Sequence, residues 1–236
     1  GSARFTLCAL GRTTRTRVDF FPAHGPDADL NGPADHDPAG PCLMHPKERA
    51  LVSLNRVVMQ PASRRMINAL GPKDLDAAEI SGKWGRRFDF KTYAQFRYPE
   101  YDVCADPFTD DGGTPLQFDL ILANQVWEHL DRPYAATRNV HAMLRPGGYF
   151  WIAVPFFVPL HAAPQDNSRW SARGLKNLLI EGGFDADAIH SEQWGNRHVA
   201  LRNLDPDWPP AYDADTDDIK NDPQMPICAW ALAQKV

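Results

Sequence analysis

Two histidines stand where a reaction could use them. His129 ends the pair Glu128-His129 directly after an apolar, β-branched run, Phe118 to Val126, and His161 lies shortly beyond a second such run, Tyr149 to Val154. Imidazole titrates near neutral pH, so either ring can take a proton from a nucleophile in mid-reaction, and both are candidate catalytic bases. Glu128, Asp166, Arg169 and Trp170 are candidate substrate-binding residues, able to hold a polar molecule by charge, hydrogen bonding or stacking. Asn124 and Gln125 end the first apolar run, and their amides, which both donate and accept, suit the lining of a cofactor and substrate pocket.

Positioning these groups falls to the stretch FDLILANQVWEHLDRPYAATRNVHAMLRPGGYFWIAVP, Phe118 to Pro155. The run Phe118 to Val126 is too continuously apolar for a strand with one wet face, and predicts a central strand buried on both sides. Leu130, Tyr134, Val140 and Leu144 recur at helical spacing, which predicts a helix over Glu128 to Leu144, stopped by Pro146-Gly147-Gly148. A second strand, Tyr149 to Val154, completes a right-handed βαβ unit in a parallel sheet. Ligands bind such sheets at the carboxyl ends of the strands, which places Ala123 to Glu128 and Pro155 to His161 on the functional edge.

Asp119 opening a strand, Glu128-His129 at its end and Leu144-Arg145-Pro146-Gly147-Gly148 before the next strand form a spaced set. That set resembles the second half of the class I S-adenosylmethionine-dependent methyltransferases, in their small-molecule branch. The resemblance implies a Rossmann-like α/β fold, with a seven-stranded, mostly parallel sheet, helices on both faces and the last strand antiparallel. It implies S-adenosylmethionine as cofactor, with S-adenosylhomocysteine as product. By the same resemblance Glu79, ending a first strand at Asp76 to Ile80, orients the glycine loop and the ligand's amino-acid end, with Ser81, Gly82 and Gly85 in the loop. Asp106 would meet the adenine amino group, with Pro107 and Phe108 walling the ring.

The chain departs from the family pattern twice. Ser81 and Lys83 occupy two glycine places, leaving Gly85 in register and Gly82 out of phase. The strand expected over Arg87 to Gln95 ends without the acid that takes the ribose hydroxyls, so Tyr93 or Gln95 would substitute. Two readings stand side by side. One is a methyltransferase acting on a hydroxyl or amine of a small molecule or sugar; the other is a module of the same fold that binds or scaffolds a partner without catalysis.

The remaining elements follow in order. Residues 1–45 form an N-terminal arm, with a hairpin pattern over Ala3 to Phe21 and a Pro-, Gly- and Asp-rich stretch in which His24, His36, Cys42 and His45 have no zinc-site spacing. The methyltransferase-like domain then runs over 46–236. It opens with helices over Pro46 to Leu70 broken at Pro61, on which Arg64 and Arg65 approach a substrate, and a strand over Tyr98 to Phe108 lies between Asp102 and Asp106. A lid follows over Pro155 to Trp170, then a helix from an N-cap at Ser171 to Glu181, strands over Ile189 to Trp194 and Ile227 to Ala233, and between those two an acidic loop over 198–226. That loop lacks the ligand order of a calcium site, and no metal is expected.

At 236 residues and 43% hydrophobic content the chain can bury one sizeable core. A net charge of −5 argues against a phosphate-tracking surface, so no nucleic acid is expected as partner. No apolar run is long enough to span a bilayer, and the four scattered cysteines read as reduced thiols of a cytoplasmic protein. There is no signal-peptide pattern, and Gly1-Ser2, without a methionine, reads as a scar from which an upstream segment has been removed.

Overall fold

In a computed structural model, residues 20–22, 52–162 and 165–236 are described. One sheet carries the order β1-β3-β2-β4-β5-β7-β6. Its strands are β1 (Phe20–Pro22), β2 (Asp76–Ile80), β3 (Thr92–Phe96), β4 (Phe118–Asn124), β5 (Leu144–Pro155), β6 (Ile189–Trp194) and β7 (Cys228–Gln234). β3, β2, β4 and β5 pair in parallel, and β7 runs antiparallel between β5 and β6. The sheet proper is six strands, β2 to β7, rather than the seven expected; β1 adds only a three-residue antiparallel edge on β3. The strand missing from the expected set is the one over Tyr98 to Phe108, which is built of turns. Adjacent Val103 and Cys104, and then Phe108, are buried there, with none of the alternation a one-sided strand would show.

The helices are α1 (Met59–Ala69), α2 (Pro133–Ala142), α3 (Ala172–Glu181) and α4 (Arg197–Arg202). Burial separates into two clusters, one on each face of the sheet. On one side α2 and α3 cover Ile121, Phe150 and Ala231; on the other α1 and α4 pack with Leu120, Trp151 and Trp230. Alternate residues of β4 and β5 thus serve opposite layers, as period-two side chains must. β4 is buried on both faces, as its continuous apolar run requires.

Several boundaries differ from expectation for local reasons. α2 begins at Pro133 rather than Glu128, because Trp127–His129 forms a short 3-10 turn and proline suits a first helical position. Pro146-Gly147-Gly148 does not end a helix; it sits inside β5, where pairing shifts between Phe118 and Leu120. Gly147 takes a φ of 82°, and a Cβ on Gly148 would come within 2.9 Å of the Arg145 carbonyl oxygen. Pro61 lies in the first turn of α1 rather than between two helices. The Arg87 to Gln95 strand shortens to Thr92–Phe96, since Trp84–Arg87 is a 3-10 turn. Ser171 caps α3 by accepting from the Gly174 amide at 3.2 Å. Residues 198–226 include part of α4 and a buried Asp217, so this connection is not simply a solvated acidic loop. Most of the expected N-terminal arm and hairpin, with His24, His36, Cys42 and His45, lies outside the described residues.

At the amino end of the parallel strands, Arg145 bridges Asp76 at 3.1 Å and Asp119 at 2.9 Å, and Asp119 accepts from the Asp76 amide. Asp119 is thus a tie between β2, β4 and β5, far from the carboxyl edge.

Candidate active site

The chain leaves β2 for β3 on one side and returns to β4 on the other, so the sheet order reverses between β2 and β4. A crevice outside the carboxyl ends of strands at such a point is where open α/β sheets take ligands. Register pairs Glu79 with Leu122, which puts Ser81 level with Asn124. Ser81 and Gln125 both sit in the left-handed region, with φ of 55° and 58°. Side-chain-bearing residues pay strain there, of order 1 kcal/mol or more, and such outliers gather at ligand sites. Between them the Asn124 Oδ1 is buried with no hydrogen-bond partner.

Glu79 is fully buried and organises the turn after β2. Its carboxylate accepts from the Trp84 amide at 2.9 Å, the Gly85 amide at 2.6 Å and the Tyr93 hydroxyl. Burial raises the Glu79 carboxyl above its usual range even against these donors. Tyr93 is likewise pushed up, by burial and then by the Glu79 charge. The glycines now have a reason. A Cβ on Gly82 would collide with the Glu79 carboxylate, and one on Gly85 would stand 2.8 Å from Leu122 Cδ1. Gly82, out of phase as a motif glycine, is demanded by the fold as strictly as Gly85.

The two ribose substitutes are committed elsewhere. Tyr93 is bound to Glu79, and Gln95 accepts from Arg86 at 2.7 Å while donating to the Gly82 carbonyl. Asp106 is exposed and Pro107 partly so, both clear of the core. Phe108 is no wall of an exposed pocket: it packs against Phe96 at 4.7 Å and Tyr101 at 5.1 Å in the core. Trp170 is likewise buried, with 8% exposure, and packs in the core cluster on the α2/α3 face.

The other candidates do converge. The segment after β5 folds back over the Trp127–His129 turn, where the Glu128 carbonyl accepts from the Asn167 amide at 2.7 Å and from Ser168 at 3.2 Å. His129 and His161 meet edge to face with ring centres 5.3 Å apart. His129 Nδ1 is 2.7 Å from the Gln165 carbonyl oxygen, and His161 Nδ1 is 3.0 Å from that of Pro159. Asp166 joins this group, accepting from both terminal nitrogens of Arg169 and from the His161 amide at 2.8 Å. The Arg169 guanidinium holds the Asp166 carboxyl well below the usual carboxylate range. Glu128 is the opposite case. Its side chain is fully buried, neither oxygen has a hydrogen-bond partner, and burial pushes its pKa up to about 8. Sequence reading puts His129 and His161 on the same sheet edge; what it does not give is their direct ring contact, which the fold-back of the segment after β5 creates.

Residues 69–150 match the methyltransferase-domain family. The matched segment runs from the end of α1 through β2, β3, β4 and α2 into β5, and so contains Glu79, the loop to Gly85, Asn124, Glu128 and His129. No curated protein matches the chain in sequence. Similar solved structures include an S-adenosylmethionine-dependent methyltransferase from Mesorhizobium loti, at 17% identity over 74% of this chain and 96% of that one, with a TM-score of 0.45. A 1,6-didemethyltoxoflavin-N1-methyltransferase from Burkholderia thailandensis is 14% identical over 77% and 79% of the two chains, with a TM-score of 0.46. A phosphoethanolamine N-methyltransferase 2 from Haemonchus contortus is 13% identical over 74% and 52%, with a TM-score of 0.47.

Proposed function

We propose that this protein is an S-adenosylmethionine-dependent methyltransferase whose acceptor is a hydroxyl or amine of a small molecule. The observation that carries the reading is the β2/β4 crevice, where two left-handed turns flank the unpartnered Asn124 Oδ1 beside a loop folded on Glu79. An orphaned buried acceptor fits a ligand that brings a donor of its own.

Ser81, Gly82, Asn124 and Gln125 would hold the cofactor, with exposed Asp106 reaching its base. When bound, the cofactor supplies a methyl group already activated on sulfonium, so the protein must align a nucleophile, exclude water and remove one proton. Glu128, His129 and His161 form the polar group that meets the acceptor and its proton. Asp166 and Arg169 position His161 through the Asp166 carboxylate.

A second reading, the fold without catalysis, draws on the commitment of Tyr93 and Gln95 to internal bonds, which leaves the ribose hydroxyls without an acceptor from β3. Calorimetric titration with S-adenosylmethionine and S-adenosylhomocysteine separates the two. Micromolar binding that weakens at least tenfold in Asp106→Ala and in Asn124→Ala supports the enzyme. No heat at millimolar ligand sinks it and leaves the binding module.

A further inference from the structure

We infer that Glu128, His129 and His161 form a binding site for one divalent first-row transition-metal ion. Familiar metal-ligand spacings are local, whereas this set joins residues 32 positions apart in the chain.

The geometry comes first. One ligating atom from each of the three residues lies within 4.8 Å of the other two, and Glu128 Oε1 is 3.6 Å from His129 Nε2. Tetrahedral ligands about 2.0 to 2.2 Å from one ion stand about 3.3 to 3.6 Å apart, so side-chain movements of about 1 Å close the set.

The surroundings supply the second, independent observation. A ligating imidazole characteristically fixes its other nitrogen to a carbonyl or carboxylate, which sets the tautomer and the ring orientation. Both rings do so. His129 Nδ1 is held by the Gln165 carbonyl, and His161 Nδ1 lies 3.0 Å from the Pro159 carbonyl and 3.3 Å from Asp166 Oδ2. Each ring therefore keeps Nε2 as its free electron pair. The Glu128 carboxylate, 3.6 Å from His129 Nε2, has a fully buried side chain and no hydrogen-bond partner at either oxygen. A buried polar group is ordinarily satisfied, and a cation between three such donors satisfies it.

The donor chemistry narrows the ion. Two imidazoles and one carboxylate suit zinc, iron(II), cobalt or manganese, whereas magnesium and calcium prefer all-oxygen sets. Three protein ligands leave positions open for water or an acceptor oxygen, whose proton the ion would make easier to lose. That use of the ion rests on the methyl-transfer reading; the binding itself does not.

The test uses the full chain, stripped with a chelator and titrated calorimetrically with zinc chloride and with cobalt(II) chloride, no S-adenosylmethionine being present. A quadruple variant, His24→Ala, His36→Ala, Cys42→Ser and His45→Ala, serves as the reference protein so that these residues of the arm do not contribute. One equivalent of ion is expected, together with a rise in Tm on loading and cobalt absorption bands of an imidazole-containing site. Glu128→Gln, which keeps the side chain's shape, and His161→Gln should each weaken binding at least about tenfold and abolish the Tm rise. Asp166→Asn, acting through His161, should weaken it by about 10- to 100-fold while leaving the stoichiometry at one. Unchanged affinity in both Glu128→Gln and His161→Gln, each with native circular dichroism, overturns the site, as does the absence of binding by either ion at about 1 mM. Because these readouts need no cofactor, their outcome is separate from that of the S-adenosylmethionine titration.

Discussion

A fully buried carboxylate must find donors, and Glu79 takes all of its described ones from within its own half of the sheet: two loop amides and the Tyr93 hydroxyl. Its charge is therefore spent on shaping the turn from β2 into Trp84–Arg87. Tyr93→Phe removes one of three donors without disturbing the ring, and should cost about 1 to 3 kcal/mol, the range for a buried acceptor left short of a partner. For a chain of this length that is a fall in Tm of about 2 to 4 °C per kcal/mol, read by thermal denaturation. Gly82→Ala should cost more than Tyr93→Phe, since its Cβ collides with the carboxylate itself and displaces all three bonds together. Thermal denaturation of the two variants side by side checks the order; equal or inverted costs would mean that the loop moves freely. Cys228 offers a different check. Burial pushes its thiol up to about 12, so a thiol reagent at pH 8 should modify it only as fast as the core opens.

At the scale of elements, two connections carry more order than their composition suggests. The segment after β5 is rich in proline and polar residues, yet the Glu128 carbonyl ties it to the Trp127–His129 turn through the Asn167 and Ser168 amides, and the Asp166–Arg169 pair braces it from within. Arg169→Ala should loosen that brace, and faster amide hydrogen exchange at His161, Asn167 and Ser168, with α3 unchanged, would report the loosening. The connection between α4 and β7 is pinned by Asp217, whose buried carboxylate accepts from Arg202, from His198 at 2.8 Å and from the Asp213 amide at 2.8 Å. Burial pushes this carboxyl up, but the Asp213 amide, His198 and Arg202 outweigh it and hold it below the usual range. A depressed folded value means that the stabilisation is complete above the unfolded carboxylate range, about pH 4, and is lost as pH falls through the folded one. Asp217→Asn should therefore cost about 1.5 to 3 kcal/mol at pH 7, the range for hydrogen bonds to a charged group, since the cations left behind are partly exposed, and less on acidification. Denaturant titrations of both proteins from pH 7 to pH 3 would show the gap narrowing; a gap independent of pH would assign the cost to packing.

At the scale of the molecule, the parallel order of β3, β2, β4 and β5 sets which end can bind. The amino ends of β2, β4 and β5 are closed by the Asp76–Arg145–Asp119 tie, while the carboxyl ends carry both left-handed turns, the orphaned Asn124 and the lid. No helix among the described residues is long and apolar enough to cross a membrane. The sequence by itself determined the layered α/β plan. Apolar runs at β4 and β5, the Ser171 cap and the run Ile189–Trp194 all express local rules, periodicity and capping, that need no partner to be read. It also pointed to Glu79, Asn124, Glu128 and His129 through their places at strand ends. The tertiary structure decided what local rules cannot reach. The Tyr98 to Phe108 stretch has the composition of a strand but no neighbour to pair with, so its residues fill the core from turns, and Phe108 and Trp170 follow burial rather than function. Gly82 is required because a carboxylate from the preceding strand folds under it. Finally, the direct approach of His161 to Glu128 and His129 comes from the segment after β5 folding back over the Trp127–His129 turn, a long-range contact that spacing along the chain does not reveal.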